Sequence, residues 1–443
     1  MTTTPPPSLT PAEEETVEIC RNLIQIDTSN FGNNSGPGER EAAAYVADLL
    51  SEVGLKPQVF ESAPKRASVV ARMAGKNPER PALVVHGHTD VVPAEADDWS
   101  VDPFAAIEKD GCIWGRGAVD MKNMDAMILA TVREMARTGQ QSDRDLVIAF
   151  FADEEHGGRF GSHWMVQNHP ELFAGATEAI SEVGGYSVDI GGQRTYLLQT
   201  AEKGIAWLRL IAEGRTGHGS QINTENAVAR LADSIARIGQ YEWPRRIIPA
   251  VDGLLRGISD LVGKPYDPED PQMVDALIAE LGTTARFVGA TVATTTNPTM
   301  LDAGYKANVI PGSAEAVIDM RVLPGDEGES IKTIESLLAP GVRWEYVQED
   351  VPLEAPFGGS LVDLMVESLQ REDPTAHVLP YALSGGTDNK ALSRLGITGY
   401  GFSPLHLPPE LDFAAMFHGI DERVPIASLK FGTRVLSHFL PRA

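Results

Sequence analysis

Cysteine is nearly missing: Cys20 and Cys112 are the only two in 443 residues. One pair builds no disulfide framework, so the sequence points to a reducing, cytoplasmic setting. No apolar run reaches the roughly 18 residues a spanning helix needs. The opening MTTTPPPSLTPAEEE has neither a basic start nor an apolar stretch, so no secretory signal is expected, and residues 1–10 read as a mobile tail. Positive charge is also scarce, with 37 Lys and Arg against 62 Asp and Glu and a net charge of −25. Such a surface repels phosphate backbones and anionic lipid, which argues against nucleic acid and membranes as partners and otherwise reads as solubility.

What remains is globular. Hydrophobic residues make up 42% and charged residues 22%, near the usual roughly 45–50% and about 25%. The length allows two or three domains of about 100–200 residues. A helical stripe begins at Pro11 with Val17, Cys20, Leu23 and Ile24, and a second helix is expected from Glu39 to Val53, ended by Gly54. Strands follow at 68–73 and 81–92, a helix at 121–138, and strands at 145–155 and 177–185. The run ALVV is continuously apolar, as in a strand covered on both faces. Alternating strands and helices predict an α/β fold, with a mixed, mostly parallel sheet sandwiched by helices.

Near residue 200 the pattern changes. An alternating strand at 204–214, a helix at 224–240, strands at 290–301 and 313–323, a helix at 329–338 and a strand at 342–349 read as an inserted α+β unit. The expected organisation is a catalytic domain over 11–200 and 351–443, interrupted by a lid or dimerisation domain over 201–350. That insert carries an extra Pro-punctuated helical segment at 243–290.

Five short elements carry chemistry. His88-Thr89-Asp90 ends a strand, and its His and Asp share a face. In Gly115-Arg116-Gly117-Ala118-Val119-Asp120-Met121-Lys122, glycines flank a turn and Asp120 starts a helix, where an ordinary N-cap is the plain alternative. Asp153-Glu154-Glu155 puts two adjacent glutamates at the end of an apolar strand, costly to bury without compensating charge. Glu182 follows another strand, and His418 lies in Phe417-His418-Gly419-Ile420-Asp421-Glu422-Arg423-Val424-Pro425. Each alone is weak. Together, two histidines and three carboxylates make a nitrogen and oxygen ligand set suited to zinc, cobalt or manganese.

In this order, the series HxD, GRGxxDMK, DEE, an acid after AIS and FHGxDERVP resembles the dinuclear metallopeptidase family of glutamate carboxypeptidase, aminoacylase and succinyl-diaminopimelate desuccinylase. The resemblance covers about residues 15–440. It implies two divalent ions, zinc with cobalt or manganese as alternatives. One would be held by His88, Asp120 and Glu182, the other by Asp120, Glu155 and His418. It further implies Asp90 behind His88 and Glu154 as general base. His218, in Gly214-Arg215-Thr216-Gly217-His218-Gly219-Ser220, would be a donor that in dimeric members reaches the partner subunit's site, so a homodimer through the lid is expected. Asn308, Arg321 and the loop Gly385, Gly386 and Thr387 match substrate-binding positions, with Arg321 suited to gripping a carboxylate.

Two departures stand out. His156 occupies a position more often small or aliphatic in the family, and the 243–290 segment exceeds the shortest lids. Glu182, rather than Asp, accompanies deacylases and carboxypeptidases in the family. The leading expectation is a metal-dependent exopeptidase or dipeptidase, with a deacylase of N-acetyl or N-succinyl amino acids as the alternative. A non-catalytic relative would be expected to lack the base or a ligand, and none is missing here. A two-metal phosphoesterase fits the metal cluster but not the carboxylate-binding lid motifs.

Overall fold

The computed structural model describes residues 11–443; the expected tail at 1–10 lies outside the described residues. A ten-stranded sheet forms the centre, with a main path whose middle strands are Leu146–Phe151, Ala82–His88, Ala176–Ser181 and Thr398–Gly401. These middle neighbours pair in parallel, while Gln58–Ala63 and Arg66–Met73 extend the sheet antiparallel. Successive residues of each strand feed opposite faces. Val69, Ala71, Leu83, Val85, Ile148 and Phe150 join one core, and Val70, Val84, Val147, Ala149 and Phe151 the other. The first core is closed by helices Pro11–Gln25, Lys122–Thr138 and Ile426–Phe439, the second by Ser162–Asn168 and Asn389–Ser393. This is the expected mostly parallel sheet between helical layers.

Strands Tyr186–Ile190 and Gln193–Glu202 also belong to the large sheet. The chain then crosses at Lys203 into a separate four-stranded antiparallel sheet and returns to the large one at Leu353–Glu354. In the smaller sheet, Gly204–Glu213 lies between Ser313–Val322 and Val342–Asp350, with Thr295–Ala303 at one edge. Its strands alternate: Ala206, Leu208, Leu210, Ile318 and Met320 pack with Leu231 and Ile334 of the helices behind it. Ile205, Trp207 and Arg321 fall on the opposite face and turn toward the large sheet's cavity.

One segment sits elsewhere than the sequence suggests. Most of the 243–290 segment, read as part of the insert, packs on the large sheet, with Trp243 alone staying on the smaller one: Val251, Leu254, Leu255 and Ile258 share a core with Tyr196, Leu198 and Tyr381. Helix Pro249–Val262 approaches strand His377–Leu383 through Gly253 and Gly257. A Cβ on these glycines would stand 2.8 Å from the Pro380 side chain and 2.3 Å from that of Leu379, so any larger residue here would have to displace them. Among the described residues no helix is long and apolar enough to cross a membrane. Cys20 and Cys112 are both unpaired.

Candidate metal centre

Three adjacent parallel strands end at one place. His88 closes the central strand and pairs in register with Phe151. Glu154 and Glu155 follow Phe151 in a short 3-10 turn, and Glu182 follows Ser181 on the other side. The strands are apolar because both faces are covered, so their chemistry is confined to the carboxyl ends. Asp120 arrives from the glycine-flanked loop before helix Lys122–Thr138. It is not the N-cap: Met121 occupies that position and makes no side-chain cap. His418 comes from the loop after Phe413–Ala415, held at φ 58°.

Asp120 stands between the two imidazoles. One oxygen is 3.3 Å from His88 Nε2, which also faces Glu182 at 3.6 Å. The other is 3.3 Å from His418 Nε2, which faces Glu155 at 3.1 Å. Glu154 is further out, 3.9 Å from His88 Nε2. Two tetrahedral ligands about 2.0–2.2 Å from a zinc ion stand about 3.4 Å apart, so these imidazole–carboxylate spacings match the span of a divalent ion; the ligand atoms of His88, Asp120 and Glu155, and those of His88, Glu154 and Glu182, lie within 4.8 Å of one another. His88 Nε2 is buried and has no hydrogen-bond partner. The donor set, imidazole and carboxylate without thiolate, suits zinc, cobalt or manganese.

The electrostatics point the same way. Burial, with Asp120 and Asp388 nearby, pushes Glu182 up to about 8 against the pull of His88. Glu154 is raised well above the ordinary carboxylate range by burial and by Glu182, Asp388 and Glu155. The hydrogen bonds to Asp120 and Glu155 raise His418 to about 10. So many buried carboxylates in one place call for positive charge beyond that of two imidazoles.

Asp90 does more than stand behind a histidine. His88 Nδ1 lies 3.0 Å from the Asp90 backbone carbonyl and 3.6 Å from its carboxylate. That carboxylate instead accepts the backbone N–H groups of Glu154 at 3.0 Å and Glu155 at 3.1 Å, fixing both acids. Asn30 donates to Asp90 at 2.9 Å and to Asp153 at 3.0 Å, securing the left-handed turn at Asp153. Glu422 is the counterpart under Asp120. It accepts backbone N–H groups from Gly117, Val119 and Asp120 and a guanidinium bond from Arg116. Neither Asn30 nor Glu422 was assigned a role from sequence. Glu422 lay within a quoted motif, but its partners are some 300 residues away in the chain. Asp125, buried without a hydrogen-bond partner for either oxygen, also went unassigned.

A cavity of about 390 Å³ opens over the cluster. Asp120, Glu154, Glu155, Glu182 and His418 line it, as do Arg321, Gly385, Gly386 and Thr387. Arg321 uses Nε and Nη2 on the two oxygens of Asp319, at 2.6 and 3.0 Å, and Nη1 takes no part in that pair. Thr387 is engaged by buried Glu202, through its hydroxyl at 2.7 Å and its backbone N–H at 3.1 Å. His218 and Asn308 are not among the lining residues. They sit together at the two-stranded pairing of 217–218 with 309–310, both exposed, where Gly219 N–H donates to the Asn308 carbonyl. His156 packs beside Gly32 and lines a second, outer cleft of about 950 Å³.

The model of Peptidase family M20/M25/M40 matches residues 84–442. The chain belongs to this family. It is a metal-dependent hydrolase, and the imidazoles and carboxylates around His88 and Asp120 are its candidate metal-binding site. Among curated relatives, Aminoacylase-1 of Homo sapiens is 27% identical over 441 residues, covering 97% of this chain and 95% of that protein. Among solved structures, the M20 family metallo-carboxypeptidase Sso-CP2 from Sulfolobus solfataricus superposes with a TM-score of 0.71 at 17% identity, covering 96% and 98% of the two chains. The di-peptidase Dug1p from Saccharomyces cerevisiae gives 0.69 at 15% identity, covering 98% of each. At such identities the structural likeness speaks for the fold alone.

Proposed function

We propose that this M20 family member hydrolyses an amide bond in a small substrate bearing a free carboxylate, either a dipeptide or short peptide or an N-acylated amino acid. The carrying observation is Asp120, with each oxygen 3.3 Å from a different imidazole. His88, Asp120 and Glu182 would hold one ion and Asp120, Glu155 and His418 the other, zinc being the expected metal. Bound there, a pair of divalent ions supplies Lewis acidity toward a carbonyl and lowers the pKa of water.

The chain's own residues do the rest. Glu154 lines the cavity and is the more distant carboxylate from His88 Nε2, at 3.9 Å; as general base it would take a proton from the attacking water and return it to the leaving nitrogen. Asp90 keeps the Glu154 backbone in place. Arg321 with Gly385 and Gly386 would receive the substrate carboxylate, for which the unengaged Nη1 is suited, while Thr387, its two donors taken by Glu202, would hold that loop in place. His218 would stabilise the negative charge developing on the carbonyl oxygen. Since it lies outside this chain's cavity, a second copy in a homodimer would bring it in. The free cysteines support a cytoplasmic setting.

Two substrate types share this chemistry. The dipeptide reading rests on the motif series and the free-carboxylate site. The acylated amino acid is favoured by the full-length similarity to Aminoacylase-1 and by Glu182 at the fourth ligand position. Product release by mass spectrometry from a panel of dipeptides and N-acyl amino acids, with metal-loaded wild type beside Glu154→Gln, tests both. Cleavage by the wild type alone is expected. Equal cleavage by the variant would refute the base assignment. No cleavage of either class with metals bound would refute the function.

A further inference from the structure

The helical segment 243–290 reaches the cavity through one side chain. Phe287, on the short helix Ala285–Val288, lines it. Its ring meets Phe417 edge-on, 5.9 Å between centroids at 84°. Phe417 stands 5.1 Å from Phe413 at 83°, and Phe413 stands 4.9 Å from Tyr186. A row of four aromatic rings thus runs from the helical segment to the strand after Glu182, and Phe287, Phe417 and Tyr186 face the cavity. The bond from Arg286 to Asp412, 2.8 Å, fastens the helix to the loop that carries Phe417 and His418.

The cavity's positive charges are nearly all spent. Lys390 donates to the Lys203 carbonyl at 2.7 Å and the Val351 carbonyl at 3.1 Å, beside Glu202 at 3.4 Å. His163 faces Asp350 at 3.1 Å, and His418 belongs to the carboxylate cluster. Arg321 is itself paired with Asp319 through Nε and Nη2, and its Nη1 is the group that remains for one substrate carboxylate. Its neighbourhood is set by Ile205, its partner in strand register, and by Gly386, whose Cβ would lie 3.1 Å from Ile205. The aromatic row is built from other elements. In an N-acyl amino acid the carboxylate is on the amine side, which leaves the acyl side for the rings.

We propose that Phe287, with Phe417 and Tyr186, forms an apolar acyl subsite selecting N-acyl amino acids with a medium-chain or aromatic acyl group over acetyl and succinyl ones. This rests on the amide-hydrolase reading above. Phe287 and Phe417 are part-exposed and Tyr186 is buried beside them, and aromatic rings lining a cavity favour contact with apolar groups. A succinyl group would bring a second carboxylate with no free cation to meet it.

The test uses the metal-loaded full chain on one amino acid carrying acetyl, butyryl, octanoyl, phenylacetyl or succinyl groups, with a dipeptide for comparison. Wild-type kcat/KM is expected to be at least about 10-fold higher for octanoyl and phenylacetyl than for acetyl, with succinyl lowest. Phe287→Ala should lower the two large substrates by about 10- to 100-fold, chiefly through KM, and leave acetyl within about twofold. Phe287→Leu should fall between, and it keeps the test valid if the alanine variant melts early. A flat or acetyl-favouring profile, or an equal loss on all substrates, would overturn the subsite while leaving amide hydrolysis intact. Turnover of neither acyl amino acids nor dipeptides would overturn both.

Discussion

The two halves around the cavity are built differently. On the large-sheet side, His88, Asp90 and Glu182 are buried; Asp90 and Glu422 hold the Glu154–Glu155 turn and the Asp120 loop by accepting their backbone N–H groups, and the Asn30 side chain donates to Asp90. On the side of the smaller sheet, His218 and Asn308 are exposed, and Met300 and Tyr305 nearby are 66% and 84% exposed. The first half is pre-organised by this chain alone. The second presents polar residues and apolar side chains to solvent, as a surface awaiting another component does.

Several perturbations sharpen or break that contrast. The largest effect is expected from Glu154→Gln, which should lower kcat by about 10³-fold while metal content by mass spectrometry stays that of the wild type. Near-normal turnover would move the base elsewhere. Next is Glu422→Ala, which strands the buried Arg116 and three backbone N–H groups. It should cost about 3–5 kcal/mol in denaturant unfolding, as breaking a buried pair does. A loss below about 1 kcal/mol would show that the loop holds Asp120 without it.

His218→Ala should lower kcat by about 10²-fold with metal binding and melting unchanged. Mixing it with Glu154→Gln should restore part of the activity if the exposed half completes a partner's site, and no recovery would argue for action within one chain.

Lys203, at the crossing between sheets, gives a smaller, pH-dependent signal. Its ammonium donates to Ala290, Ala293 and Thr295. Burial, with Arg321 nearby, lowers its pKa to about 7 from 10.5. Between these values the unfolded chain binds more protons than the native one, so this group makes stability rise from pH 7 toward 10. Lys203→Met should flatten that rise in thermal melts, and an unchanged slope would show that other groups set it. Smallest is Asp412→Asn, which removes an exposed pair with Arg286 and should cost under about 1 kcal/mol. A larger loss would mean that the helix carrying Phe287 depends on it.

How much of this was legible in the sequence follows from range. Strand ends declare themselves locally: ALVVHGHTD and VIAFFADEE change from apolar to polar where the sheet ends, and His88, Glu154 and Glu155 lie there. The alternation of Gly204–Glu213 likewise reveals a half-covered strand. Long-range docking leaves no such mark. Residues 243–290 read as helices, but Gly253 and Gly257 reveal their meaning only against Pro380 and Leu379. Strand Gln193–Glu202 shows no period-2 alternation because it is buried nearly throughout. Glu422 and Asn30 are ordinary polar residues until the loops they hold come within hydrogen-bond reach.

The most direct test of the account is metal stoichiometry across three proteins: wild type, His418→Ala and Asp120→Ala, each dialysed against zinc and assayed by elemental mass spectrometry. The expected result is two ions per chain in the wild type, one in His418→Ala and neither held tightly in Asp120→Ala. Retention of both ions by Asp120→Ala, or a wild type that binds at most one, would contradict a centre built around that carboxylate.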